Sequence, residues 1–238
     1  MKDLELDQIE DGLCYLCGKP GSDSMDHVPP KNLFAPEDRK GLITVPTHGT
    51  CNRSFSKDDE YFRLCMTAAA YEDRQAHKVW IGPVLRGIHR PESARFKADI
   101  LEHLKTAELR VGDDFVGHAP VMLQDPARLH GIANRIVRGL YRHLSGSVLA
   151  LEWPVSSALM PPSSLQAFHE LTSPLASIGN GTFLFRRVLL SKDEREGVYT
   201  LVFYRTVVFF GFTGSVIRSK LFPHEGKVLA GAGSGPTK

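Results

Sequence analysis

The sequence predicts an α+β protein: a small metal-stabilised segment at the N-terminus, then a mixed domain with helices first and an antiparallel β-sheet last. Three observations lead there. Cysteine and histidine pairs cluster before residue 52, helical periodicity dominates from Asp58 to Leu144, and runs rich in Val, Phe and Tyr follow as far as Phe212. The boundaries read as 1–80 for the first module, 81–228 for the second, and 229–238 for a Gly-rich tail expected to be mobile.

The metal-ligating pattern comes first along the chain. Cys14-x2-Cys17 is followed by Gly18, and His48-x2-Cys51 encloses Gly49. Two-residue spacers let both members of a pair reach one tetrahedral zinc ion from a tight turn. Alone, Cys14 and Cys17 also fit a disulfide, a redox pair or two unrelated thiols. The second pair in the same short segment favours a structural zinc held by Cys14, Cys17, His48 and Cys51. The fourth cysteine, Cys65, lies among Phe62, Leu64, Met66 and Ala69 and reads as core.

Between the pairs lie 30 residues, 18 to 47, more than a zinc ribbon needs, and they contain Asp26-His27. Neighbours on an extended segment point to opposite sides, so a carboxylate can bind a cation while the imidazole takes a proton from water. Here the residues resemble the HNH, or ββα-metal, endonuclease family, in its zinc-stabilised branch. Asp26-His27-Val28-Pro29-Pro30 looks like the first motif, and Cys51-Asn52-Arg53-Ser54 like the last. The resemblance covers residues 12 to 65 or so.

It implies a zinc-stabilised ββα-metal module that hydrolyses phosphodiester bonds in nucleic acid, DNA above all. His27 would be the general base. Asp26 and Asn52 would hold one catalytic divalent cation, Mg2+ or Mn2+, and the zinc would be structural only. Lys31, Arg53 and Lys57 are the candidate phosphate contacts. Such a site normally cuts one strand, so double-strand cleavage would take a homodimer, for which the C-terminal domain is the candidate interface. Two departures stand out. No Asn or His lies between Leu33 and Thr47 to brace the catalytic loop, so Thr44 or Thr47 stands in, or the brace is missing. His48 also replaces the more usual Cys, and it fits a catalytic role as well as a ligand role. A zinc-stabilised module that binds nucleic acid or protein without cleaving is the alternative, with Asp26 and His27 as bystanders; Asn52 argues against it.

Periodicity outlines the rest. Asp58 or Asp59 caps a helix running to about Trp80, and a second helix runs from near Pro91 to Leu104. The third has Asp125 as cap, Pro126 at the first position, and Leu129, Ile132, Ile136, Leu140 and Leu144 on one face. Its stop falls at Ser145-Gly146, and Arg128, Arg135, Arg138 and Arg142 are expected on a solvated face. Ser147 to Val155, Thr182 to Leu190 and Val198 to Phe212 read as strands, the last two joined by polar Ser191 to Gly197 as a hairpin. Pro161 to Leu171 reads as a short helix.

Composition fits a soluble protein with ample core material: 238 residues, 42 % hydrophobic and 24 % charged. The net charge of +2 is uneven. Residues 1–60 hold 7 basic against 12 acidic side chains, leaving −5, and the remainder holds 22 against 15, leaving +7. The second part can therefore attract a polyanion, or present an ordinary surface. No run of 18 apolar residues argues for a membrane span. The acidic N-terminus lacks a signal-peptide core, and thiols at ligand spacing point to the cytoplasm. No P-loop or nucleotide fingerprint is present.

Overall fold

The computed structural model describes residues 12–88, 90, 93–161 and 175–214. The chain is a mixed α+β protein whose sheets are all antiparallel. Strands β1 (Ser24–Val28) and β2 (Ile43–Thr47) form a hairpin, with Asp26 opposite Val45 and His27 opposite Thr44. Short helix α1 (Gly49–Ser54) follows at once, then α2 (Ser56–Ala69), α3 (Arg74–Val79), a π-helical turn at Trp80–Val84, α4 (Leu85–Ile88) and α5 (Ala94–His103).

The long helix expected to reach Trp80 is therefore broken. Asp73 accepts hydrogen bonds from Gln75 N at 2.8 Å and Ala76 N at 3.2 Å, which caps a new helix rather than continuing the old one.

A second hairpin, β3 (Leu104–Val111) and β4 (Asp114–Met122), was not foreseen. Its cue is the alternation from Leu104 to Val111 ahead of the Gly112-Asp113 turn. Helix α6 (Pro126–Ser145) matches expectation at both ends. Asp125 caps Ala127 N at 2.9 Å, and Gly146 closes the helix at φ 72°, where a side chain would be strained.

The last sheet has the order β5-β9-β8-β7-β6, from β5 (Val155–Leu159), β6 (Ala176–Ile178), β7 (Phe183–Leu189), β8 (Gly197–Phe203) and β9 (Val207–Thr213). The expected strand at Ser147–Val155 begins only at Val155. Arg138 takes the carbonyls of Leu149, Ala150, Leu151 and Trp153 for itself, at 2.9 to 3.1 Å, and leaves that segment no ladder. The run read as one strand, Val198 to Phe212, is two, turning at Tyr204 and Arg205 with φ 51° and 56°. Non-glycine residues hold that conformation only when overdetermined. Tyr204 is fully buried and its hydroxyl donates to Leu33 O at 2.6 Å, while Arg205 reaches Asp73 at 3.5 Å. The expected helix at Pro161–Leu171 and the tail from Leu229 lie outside the described residues, apart from Pro161 itself.

One continuous apolar core runs through the structure. It joins Tyr15, Val28, Leu33 and Phe62 to Ile132, Ile136 and Leu140 of α6 and to Phe183, Tyr199 and Phe209 of the large sheet. Helix α6 lies between the β1–β2 hairpin and the five-stranded sheet. At Gly139 an added Cβ would sit 2.5 Å from Val28 of β1, and at Gly211 of β9 it would collide with Val137 of α6. Among the described residues no helix is long and apolar enough to cross a membrane.

Candidate metal centre and adjoining cleft

The turn at Cys14–Gly18, closed by Gly18 N donating to Cys14 O at 2.8 Å, presents two thiols to the end of β2 and the start of α1. There the ligand atoms of Cys14, Cys17, His48 and Cys51 all lie within 4.8 Å of one another. The His48 Nδ1 is 3.3 Å from Cys17 Sγ and 3.8 Å from Cys51 Sγ. Ligands around a tetrahedral zinc, with bonds of about 2.0–2.3 Å, are separated by roughly 3.3–3.8 Å.

The surroundings suit the same ion. His48 Nε2 lies 3.0 Å from Pro20 O, which fixes a proton on that nitrogen and leaves Nδ1 turned to the thiols. Cys14 Sγ accepts from His48 N at 3.4 Å and sits 3.3 Å from the Thr47 hydroxyl. Burial works against its thiolate, but hydrogen bonds from Thr47 and the His48, Cys17 and Leu16 backbone outweigh it and bring Cys14 down to about 6. Burial and the neighbouring thiols push Cys51 up to about 11, the repulsion a cation would relieve. A Cys3His cluster of this kind could hold a structural zinc. His48 thus lies with the three thiols of that cluster.

Asn52 follows Cys51 on α1, and beside it opens a cleft of about 570 Å³. The lining includes Asp26 and His27 from β1, Lys31 and Asn32 from the following turn, Asn52, and Lys57, Asp59, Glu60 and Arg63 from α2. Of the sequence-predicted residues, Asp26, His27, Asn52, Lys31 and Lys57 meet here. Arg53 does not line the cleft. Its guanidinium lies over Gly49, beside Asp23.

The two carboxylates and the imidazole differ in setting. Asp26 is 4 % exposed; Tyr15 donates its hydroxyl to Oδ2 at 2.5 Å, and Arg135 Nε lies 3.8 Å from the same oxygen. Arg135 Nη2 also donates to Asp59 Oδ1 at 2.7 Å, and burial pushes Asp59 up to about 6 in spite of it. Burial lowers the His27 pKa, with Lys31 and Arg39 adding to the effect and Asp26 opposing, which favours the neutral imidazole. Thr47 belongs to the metal centre, while Thr44 is exposed opposite His27. Cys65 is buried core, its thiol pushed up to about 11 by burial.

Sequence reasoning missed Tyr15, Asp59, Arg63 and Arg135 around this site. It also misread the arginines of α6. Arg135 and Arg142 are 3 % and 4 % exposed, and Arg128 binds Asp58 at 2.7 Å. Only the i, i+7 spacing of Arg128 and Arg135 against Asp58-Asp59 could have hinted at it. No protein-family model, curated protein or solved structure matches the chain.

Proposed function

We propose that the protein is a metal-dependent endonuclease of the HNH (ββα-metal) kind, hydrolysing phosphodiester bonds in nucleic acid, with DNA as the first substrate to test. The observation that carries this reading is the meeting of His27, Asp26, Asn52, Lys31 and Lys57 in one cleft beside a Cys3His cluster. The hairpin β1–β2 followed directly by α1 supplies the order of elements such a module needs.

In this mechanism His27 accepts a proton from a water whose oxygen attacks phosphorus, and the P–O bond to the leaving sugar oxygen breaks. That oxygen is then protonated from solvent. Both described polar contacts of Asp26 fall on Oδ2, which leaves Oδ1 for the cleft that Asp26 and Asn52 line. A Mg2+ or Mn2+ held by these two residues would supply positive charge to the pentacovalent phosphorus and the leaving oxygen. Lys31, Lys57 and Arg63 line the same cleft and would neutralise phosphate oxygens. The module would work in the reducing cytoplasm, as one active site per chain within residues 1–80.

One observation favours a second reading. Asp26 sits between Tyr15 and Arg135 as a buried structural carboxylate would, which suits a zinc-stabilised binding module without cleavage. Incubation with plasmid separates the two. Nicking that needs Mg2+ or Mn2+ and disappears in His27→Ala supports the nuclease. Equal cutting by parent and variant, or none by either under any divalent ion, sinks it.

A further inference from the structure

The hairpin β3–β4 stands largely outside the shared core. Among the described residues each strand has the other as its only sheet neighbour. Leu109, Val111, Phe115 and Val116 on it are 49, 70, 53 and 60 % exposed. A lone two-stranded hairpin is marginal in water, and an exposed, apolar edge strand is a template for another strand. We infer that a second copy of this chain pairs its β3 antiparallel with β3 about a two-fold axis through Leu109, joining two hairpins into one four-stranded sheet.

Backbone alternation makes that edge available. Leu123 N donates to His103 O at 2.9 Å, continuing the β3–β4 ladder by one step. Bonded and non-bonded positions alternate in an antiparallel pair, so residues 105, 107 and 109 turn their backbone groups to β4. Thr106, Glu108 and Arg110 therefore turn theirs outward. The irregularity in the ladder does not disturb this. Leu109 pairs with Gly117 and Arg110 with Phe115, so the extra residue is Val116 on β4.

Charge then selects the register. With the axis on Leu109, Glu108 of one copy faces Arg110 of the other. Leu109 meets Leu109, and Ala107 meets Val111. An axis one residue earlier sets Glu108 against Glu108, and one residue later sets Arg110 against Arg110. Like charges directly opposite destabilise a ladder. Within one chain Arg110 already bonds Glu108 at 3.0 Å along the strand, and the two-fold joins two such pairs into one alternating group of four charges. The same pairing covers Leu109 and Val111, whose face continues through Ala119 and Val121 on β4. The contact is isologous, so it closes at a dimer.

This dimer does not depend on what the cleft does. An interface of one strand pair is small, and a dissociation constant of about 1–100 µM is expected. Sedimentation velocity on the full chain, over about 1–300 µM, measures it. Glu108→Arg and Arg110→Glu should each weaken the dimer about tenfold or more, because each sets like charges opposite one another. Both side chains are more than half exposed, 57 and 53 %, and unchanged circular dichroism checks that the fold survives. Mixed in equal amounts, one variant carries Arg at both positions and the other Glu at both. That mixture should form a heterodimer at least as tight as the parent dimer. A parent chain that stays monomeric throughout overturns the inference, as does a mixture no tighter than either variant alone.

Discussion

Arg135 Nη2 donates to Asp59 Oδ1 at 2.7 Å, and this contact joins α6, from the second half of the chain, to the wall of the cleft. The same guanidinium lies 3.8 Å from Asp26 and 4.7 Å from the centre of the Phe55 ring. The residue expected to face solvent is thus the buried cation beneath two carboxylates.

Breaking a buried pair by removing one partner leaves an uncompensated charge. Arg135→Ala is expected to destabilise the protein by about 3–5 kcal/mol in urea denaturation. The double variant Arg135→Ala, Asp59→Asn should lose less than the sum of the singles, because the two groups share one interaction. A loss for Arg135→Ala below about 1 kcal/mol, the range of a surface ion pair, would contradict the burial.

The metal centre makes a second prediction. Protein purified without chelator should hold about one zinc per chain, with X-ray absorption giving sulfur near ~2.3 Å and nitrogen near ~2.0 Å. Cys17→Ser should bind less than about half an equivalent. Tyr15 and Val28 share a core with α6 and the large sheet, so calorimetry of zinc-stripped protein should show one lowered transition rather than a melted N-terminus beside an unchanged remainder.

Packing across α6 is tested at Gly139. A Cβ there would lie 2.5 Å from Val28 Cγ2 and 3.0 Å from Cγ1. Gly139→Ala should cost about 1–3 kcal/mol by overpacking, and adding Val28→Ala should recover part of it in a double-mutant cycle. Two additive losses would place the helix further from β1 than described.

The roles proposed in the cleft separate by rescue. His27→Ala should lower cleavage by about 10²–10⁴-fold with zinc content unchanged, and raising Mn2+ should not restore it. Asn52→Ala should fail through weaker cation binding, so high Mg2+ or Mn2+ should recover activity in part. Asp26→Ala should behave likewise but also lose stability, since Tyr15 loses its buried acceptor and Arg135 keeps only Asp59 of its two carboxylates. Recovery of His27→Ala by metal alone would contradict its assignment as base.

Local signals carried the elements that the structure reproduces most closely. Asp125, Pro126 and Gly146 bound α6 because capping is settled within a few residues. The spacing of Cys14, Cys17, His48 and Cys51 foretold a cluster because a turn brings such pairs together. Where the reading failed, the deciding partner lay far along the chain. Tyr204 turns because its hydroxyl reaches Leu33, 171 residues away. The segment after Gly146 stays out of the sheet because Arg138 claims its carbonyls.

By itself, then, the sequence determined the α+β order and the cluster of Cys14, Cys17, His48 and Cys51, which are written in periodicity and spacing, while Asp26, His27 and Asn52 rest on the resemblance to the HNH family. Tertiary structure alone decided that α6 backs the cleft and that Arg135 faces inward. Helical periodicity shows which residues share a face but not what that face meets. An arginine stripe opposite solvent and one opposite Asp26 and Asp59 look the same until the hairpin packs at Gly139.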